Sequence, residues 1–227
     1  KTNIHGAENV VMAAIRTGVK RVMALSTDKA CNPVNLYGAT KLAADKIFVA
    51  GNNLSGSEGP IFSVVLYGNV IGSRGSVVPL FKKLIAEGAG ELPITDLRMT
   101  RFWITLDQGV AFVLSCLNSM EGGEIFVPKI PSMKIIELAK CMASDLKHRE
   151  VGIRPGEKLH EVMISEDDAR TTVEFNDRYA ILAPFVNNHR TNKGAIEGKP
   201  VVAGFRYASD TNTDWLSSHE FRQILSM

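Results

Sequence analysis

Arg21-Val-Met-Ala-Leu-Ser26 is an apolar run that breaks at once into Thr27-Asp-Lys29. A short apolar stretch ending in polar groups has the length and composition of a strand buried on both faces. Upstream, Val10, Val11, Ala14 and Ile15 recur at helical spacing between Ile4 and Thr17, and Gly18 is a stop signal. Downstream, Asn32-Pro33 marks residues 27–35 as a loop. Leu36, Ala39, Ala43 and Ile47 then predict a helix over 36–50, stopped by Gly51-Asn-Asn53, and Ile61-Phe-Ser-Val-Val-Leu-Tyr67 reads as a second buried strand. Helix, strand, helix, strand is the rhythm of a parallel sheet with crossover helices. The fold class expected is therefore α/β, a doubly wound parallel sheet.

Beyond Tyr67 the character changes. Gly68-Asn-Val-Ile-Gly-Ser-Arg-Gly-Ser76 is a glycine-rich loop. The pattern predicts helices over 77–87, 107–118 and 133–144, strands over 92–95 and 124–127, and two short strands within 170–182. Residues 187–200 read as a polar connection, and Ser217-Ser-His-Glu220 as a capping box for a last helix through Leu225. This mixed second half predicts a smaller α+β lobe.

The chain has 227 residues, with Lys+Arg 26 against Asp+Glu 24, 45% hydrophobic and 22% charged, which suits one large globular domain or two small ones. The near-neutral balance gives no electrostatic footprint for nucleic acid, and no basic run addresses an anionic membrane. The longest mostly apolar stretch, 61–72, is too short to span a bilayer. Cys31, Cys116 and Cys141 form no C-x-x-C pair, so neither a disulfide framework nor a zinc site is written here, and a reducing cytoplasm fits. His5, His148, His160, His189 and His219 are scattered, so no metal site is expected. No G-x-S-x-G elbow supports a hydrolase. The chain opens on Lys1 with no signal-peptide layout, and the expectation is a piece of a longer protein.

Two local groups carry chemistry. In Tyr37-Gly-Ala-Thr-Lys41 the phenol and the amine sit four apart, on one face of the predicted helix. A cation beside a phenol favours phenolate, which can serve as a base for an alcohol. Chance alone yields such a pair with a probability of about one in four in a chain of this composition, so the pair by itself decides little. The second group is Ser26-Thr-Asp-Lys29, at the carboxyl end of the first strand, where open α/β sheets gather their reactive groups. A solvated turn and a proton-transfer site are equally compatible with these residues alone.

At this point a resemblance enters. Ala24-Leu-Ser-Thr-Asp-Lys-Ala30 followed by Asn32-Pro-Val-Asn-Leu-Tyr-Gly-Ala-Thr-Lys41 resembles the extended short-chain dehydrogenase/reductase superfamily, and within it the UDP-N-acetylglucosamine 4,6-dehydratases. Leu66-Tyr-Gly-Asn-Val-Ile-Gly-Ser-Arg-Gly-Ser-Val77 and Gly152-Ile-Arg-Pro-Gly-Glu-Lys-Leu-His-Glu161 look like two further blocks of that family. The tail, Gly204-Phe-Arg-Tyr-Ala-Ser-Asp-Thr-Asn-Thr-Asp-Trp215, is similar to that of the C5-inverting enzymes of pseudaminic acid biosynthesis.

The resemblance implies a bound NADP that takes a hydride and returns it within one turnover. It implies that Tyr37, with Lys41, removes the proton from the C4 hydroxyl. Thr27 holds the C4 oxygen, Lys29 takes the C5 proton, and Asp28 protonates the departing C6 hydroxyl. Lys29 replaces the Glu of the related dTDP-glucose dehydratases, and Tyr37 stands where the retaining cousins typically carry Met, which favours inversion. Asn3, Ser26, Tyr37, Lys41 and Val70 map to the cofactor side, and Asn69, Arg74, Arg101, Arg154 and Glu157 to the UDP-sugar. Guanidinium forks suit a pyrophosphate, and a carboxylate suits ribose hydroxyls. The same resemblance divides the chain into residues 1–74, part of an NADP-binding Rossmann domain, 75–184, a substrate-binding lobe, and 185–227, a tail and helix. It also implies a homo-oligomer. A retaining UDP-sugar dehydratase and a UDP-sugar 4-epimerase are the alternatives. The G-x-G-x-x-G that should open a dinucleotide fold is not in the sequence, so the chain as written is expected neither to hold NADP well nor to turn over.

Overall fold

The computed structural model describes residues 1–183 and 198–226. In chain order the elements are α1 (Ile4–Thr17), β1 (Arg21–Thr27), α2 (Leu36–Ser55), β2 (Ile61–Tyr67), β3 (Asn69–Val70), α3 (Val77–Ala86), β4 (Glu91–Ile94), β5 (Thr100–Ile104) and α4 (Leu106–Ser119). They continue with β6 (Ile125–Pro128), β7 (Ser132–Lys134), α5 (Ile135–Met142), β8 (Lys147–Glu150), β9 (Val162–Ile164), β10 (Thr172–Glu174), β11 (Arg178–Ile181), β12 (Lys199–Pro200) and α6 (Ser218–Ser226). Two compact units interleave along the chain. One comprises Lys1–Tyr67, Val110–Lys129 and Val162–Tyr207, the other Gly68–Gly109, Ile130–Glu161 and Ala208–Met227. The sequence expectation had single cuts after 74 and 184 instead.

The first unit holds a six-stranded sheet in the order β1-β2-β6-β11-β10-β12. β1, β2 and β6 are parallel, as their apolar composition on both faces requires, and β11 and β10 close the row antiparallel. Val11 and Ala14 of α1 pack with Phe62 of β2, while Phe112 and Cys116 of α4 pack with Val65 and Phe126. Helices of different origin thus line different sets of strand side chains, which is the doubly wound pattern.

The expected stop of α2 at Gly51-Asn-Asn53 is corrected. The helix runs on to Ser55 because Asn52, 5% exposed, is itself a structural tie. Its Nδ2 donates to the carbonyls of Val49 (2.9 Å) and Phe62 (2.8 Å), and its Oδ1 accepts from Phe62 N–H (2.9 Å). The expected polar connection over 187–200 lies mostly outside the described residues; its end, Lys199–Pro200, is an edge strand on β10.

The second unit is built on a three-stranded sheet, β3-β5-β7, and a parallel pair, β4-β8. Its core gathers Phe81, Leu92, Ile94, Trp103, Leu138 and Phe221. Trp103 meets Phe221 edge-on, with ring centroids 6.1 Å apart. The helix expected over 133–144 begins only at Ile135, because Met133 and Ser132 pair with Arg101 and Phe102 first. The glycine-rich loop likewise opens with two strand residues, Asn69 and Val70, on β5. The capping box on α6 forms: Ser217 N–H donates to Glu220 Oε2 (2.9 Å), and Glu220 N–H to Ser217 Oγ (3.3 Å).

Candidate active site

In the first unit, the parallel register sets Thr27 opposite Tyr67 at the carboxyl ends of β1 and β2. The chain then turns into one 3-10 turn, Asp28–Ala30, which Thr27 caps by accepting from Lys29 N–H (3.4 Å). Asp28 is fully buried; its Oδ1 accepts from the Thr27 hydroxyl (2.9 Å) and from Lys29 Nζ (3.0 Å). Lys29 keeps 38% of its side chain exposed. The acid and the base expected from the sequence therefore already touch, with the amine at the surface and the carboxylate beneath it.

Asn35 starts α2 by accepting the Gly38 N–H at 2.8 Å. Gly38 lies against the 3-10 turn, where a Cβ would stand 2.2 Å from the Lys29 carbonyl oxygen, so only glycine allows this approach. Asn32, between the turn and the helix, takes a left-handed φ of 45°, a conformation asparagine tolerates. These features set the first turn of α2 beside Lys29. Tyr37 is 52% exposed there. Lys41, one turn on, donates from Nζ to the carbonyl of Leu25 at 2.9 Å. Asn3 Nδ2 donates to Thr40 Oγ1 at 3.0 Å, which ties the start of α1 to the same part of α2.

Ser26 does not open into this space. It is 6% exposed and donates from Oγ to Asp45 Oδ2 at 2.6 Å. Burial pushes the Asp45 carboxyl up to about 6, against the opposing pull of the Ser26 hydrogen bond and the Lys41 and Lys46 charges.

In the second unit, Arg101 is 6% exposed, and its guanidinium is committed to the protein. It donates to the carbonyls of Thr100 (2.7 Å), Leu159 (3.1 Å) and Lys158 (2.9 Å), and lies 3.8 Å from Glu157 and 3.6 Å from Glu161. Arg154 is exposed and pairs with Glu157 at 3.2 Å. Arg98, the other arginine of this stretch, holds Asp96 at 2.7 Å and keeps that carboxyl at about 2. Arg74 stands exposed in the loop between Gly72 and Gly75. Asn69 lies opposite Trp103 in the strand register, and its Oδ1 is buried with no hydrogen-bond partner among the described residues. Val70 follows it on β3, opposite Ile104.

Residues 1–183 match a family described as polysaccharide biosynthesis protein. The UDP-N-acetylglucosamine 4,6-dehydratase (inverting) of Campylobacter jejuni is 59% identical over 100% of this chain and 69% of its own length. The chain belongs to this dehydratase family. The solved structure of Pen from Bacillus thuringiensis superposes with a TM-score of 0.87 at 35% identity, over 99% of this chain and 68% of its own. DesIV, a dTDP-glucose 4,6-dehydratase from Streptomyces venezuelae, shares the fold with a TM-score of 0.63 at 23% identity, over 70% of this chain and 55% of its own.

For this member of the family, the residues expected at the site fall into two sets. Asn3, Ser26, Thr27, Asp28, Lys29, Tyr37 and Lys41 belong to the first unit, with Ser26 turned into the interior. Asn69, Val70, Arg74, Arg101, Arg154 and Glu157 belong to the second, with Arg101 bound to backbone carbonyls instead of presented as an open fork. Sequence reasoning passed over Asp45. The signal was its position, four residues after Lys41 on the same helical face, but burial was not legible there. Among the described residues no group of His, Cys, Asp and Glu could hold a metal, and no helix is long and apolar enough to cross a membrane.

Proposed function

We propose that this protein removes water from UDP-N-acetylglucosamine across C5 and C6, by way of a 4-keto sugar and with inversion at C5. The observation that carries the reading is the contact set Thr27–Asp28–Lys29 beside Tyr37 and Lys41, in a chain 59% identical to an inverting dehydratase.

In this reading Tyr37 takes the proton of the C4 hydroxyl, and the Lys41 charge supports the phenolate. Thr27 holds the C4 oxygen. Once C4 is a ketone, the C5 hydrogen is acidic and the Lys29 amine removes it. Asp28 gives a proton to the C6 hydroxyl, which leaves as water. The 3.0 Å contact between Lys29 Nζ and Asp28 Oδ1 lets the proton taken at C5 replace the one delivered at C6. As C6 gains the hydride that its carrier would return, solvent supplies a proton to C5 on the opposite face, and Tyr37 gives the C4 proton back to solvent.

The reaction is redox-neutral overall, so the hydride carrier must be regenerated, and a bound NADP supplies that chemistry by accepting and returning one hydride. The donor set fits such a group. Lys41 has three N–H donors and spends one on Leu25, which leaves two for ribose hydroxyls beside the exposed Tyr37 phenol. On the sugar-nucleotide side, Arg74 and the exposed Arg154, which also holds Glu157, are the guanidinium groups for a pyrophosphate, Glu157 is the ribose acceptor, and Asn69 carries an amide oxygen unsatisfied among the described residues. Arg101 acts there as the clamp that sets Glu157. The product suits pseudaminic acid or a related surface glycan, made in the cytoplasm by a homo-oligomer.

The test is to incubate the enzyme in its full natural length with UDP-N-acetylglucosamine and identify the product by NMR. A UDP-linked 6-deoxy-4-keto sugar of L configuration is expected. A D configuration would move the protein to the retaining branch. A 4-epimer with all its oxygens would overturn the dehydratase reading.

A further inference from the structure

Tyr37, Lys41 and Asp45 recur at intervals of four along α2, and so lie on one face of that helix. Lys41 and Asp45 grip successive residues at the end of β1. The Lys41 amine holds the Leu25 carbonyl at 2.9 Å, and the Asp45 carboxylate holds the Ser26 hydroxyl at 2.6 Å. The next residue is Thr27, which opens the Thr27–Asp28–Lys29 turn. Asp45 is 3% exposed and Ser26 6%, so this contact is closed to water.

An asparagine in the same place would accept the same hydroxyl proton and carry no charge to desolvate. Hydrogen bonding therefore does not explain a carboxylate here. What asparagine lacks is a negative charge one helical turn from the Lys41 ammonium. We infer that Asp45 is a positioning residue for the Tyr37–Lys41 pair, a buried carboxylate whose charge, one helical turn from Lys41, draws that amine onto the end of β1. This rests on the reading of Tyr37 and Lys41 as the groups that work at C4.

The surroundings are consistent with that role. Lys41 and Lys46 of its own helix supply the charges that act on Asp45. β1 meets it with the Ser26 hydroxyl, and the 3-10 turn carries Asp28 and Lys29, which pair with each other. Of the other elements on α2, α1 carries Arg16 and the His5–Glu8 pair at its exposed surface, and β2 ends in Tyr67. The carboxyl is pushed up to about 6, so it is charged at neutral pH at the expense of stability.

The experiment compares the full-length enzyme with Asp45→Asn, Asp45→Glu and Ser26→Ala, reading Tm together with kcat and KM for UDP-N-acetylglucosamine. In Asp45→Asn, Tm rises by about 3 °C or more, and kcat falls about tenfold with KM unchanged. Asp45→Glu restores part of kcat, and Ser26→Ala lowers Tm. A strut with no bearing on the chemistry would lower Tm in Asp45→Asn, and failure of that variant to fold would overturn the inference in the same way. A raised Tm with unchanged kcat would also overturn it, since the charge would then be unused. If the wild type leaves UDP-N-acetylglucosamine unchanged, the reading of the reaction fails by itself. The Lys41 side chain in crystals of the wild type and Asp45→Asn then decides Asp45: loss of Lys41 from the Leu25 carbonyl in Asp45→Asn supports the inference, and an unchanged Lys41 overturns it.

Discussion

Asp45 in the first unit and Arg101 in the second are both charged and both nearly closed to solvent, at 3% and 6% exposure. Arg101 is surrounded by what a guanidinium requires: three carbonyl oxygens, and the carboxylates of Glu157 and Glu161 within 4 Å. Asp45 has one hydroxyl and the more distant field of two lysines, and burial prevails over them. A buried charge with a complete set of partners holds a fold together, and one with an incomplete set destabilises it. The first arrangement fixes the shape of a binding segment. The second lies one helical turn from the lysine assigned to catalysis, where a destabilised group is tolerated for what it does.

The comparison breaks first at Arg101. Arg101→Leu removes the guanidinium bonded to the Thr100, Leu159 and Lys158 carbonyls and leaves the Glu157 and Glu161 carboxylates with Arg154 and Lys158 as nearby cations. It should lower stability by about 3–5 kcal/mol, measured by urea unfolding. A loss below about 1 kcal/mol would mean that the clamp is slack and the arginine is available to a ligand.

Asp45→Asn should act with the opposite sign. An acid whose folded pKa is raised, here from 3.8 to about 6, binds its proton more tightly in the folded state. Its penalty is absent below the unfolded value, grows as pH rises through the window from 3.8 to about 6, and is constant above it. The wild type and Asp45→Asn should therefore unfold alike near pH 3.5, and differ by up to about 3 kcal/mol in favour of the variant at pH 8. Parallel stability curves across that window would show that the carboxyl is not desolvated.

Gly38→Ala sharpens the local geometry, because its methyl group meets the Lys29 carbonyl oxygen. A loss of about 1–3 kcal/mol is expected, with a fall in kcat larger than the fall in stability explains. A smaller effect belongs to the helix cap. Asn35→Ala removes the acceptor of the Gly38 N–H and should destabilise by about 1 kcal/mol, with kcat per folded molecule nearly unchanged; a large kcat effect would make the cap part of the site.

The parts of this molecule that were legible in its sequence are those set by local pattern. α1 and β2 fall on the residues expected, because each is a short, continuous periodic or apolar run between clear breaks. Thr27, Asp28 and Lys29 touch, and Tyr37 and Lys41 follow on the next helix, because residues close in sequence stay close across one turn. What pattern could not show was made by distant partners. β8 reads Lys-His-Arg-Glu and has no strand signature; it is a strand because β4 pairs with it. Arg101 looked like a free fork until carbonyls 57 and 58 residues away closed on it. Asn52 looked like a helix stop until β2 bound its side chain.

The most direct test of the Thr27–Asp28–Lys29 site follows the hydrogen at C5. The full-length wild type and Lys29→Gln are incubated with UDP-N-acetylglucosamine in D2O, and the sugar is followed by NMR. The account predicts solvent deuterium at C5 of an L-configured product for the wild type. For Lys29→Gln it predicts a kcat at least about a thousandfold lower and no deuterium entering C5. Deuterium appearing at C5 at the wild-type rate in Lys29→Gln would contradict it.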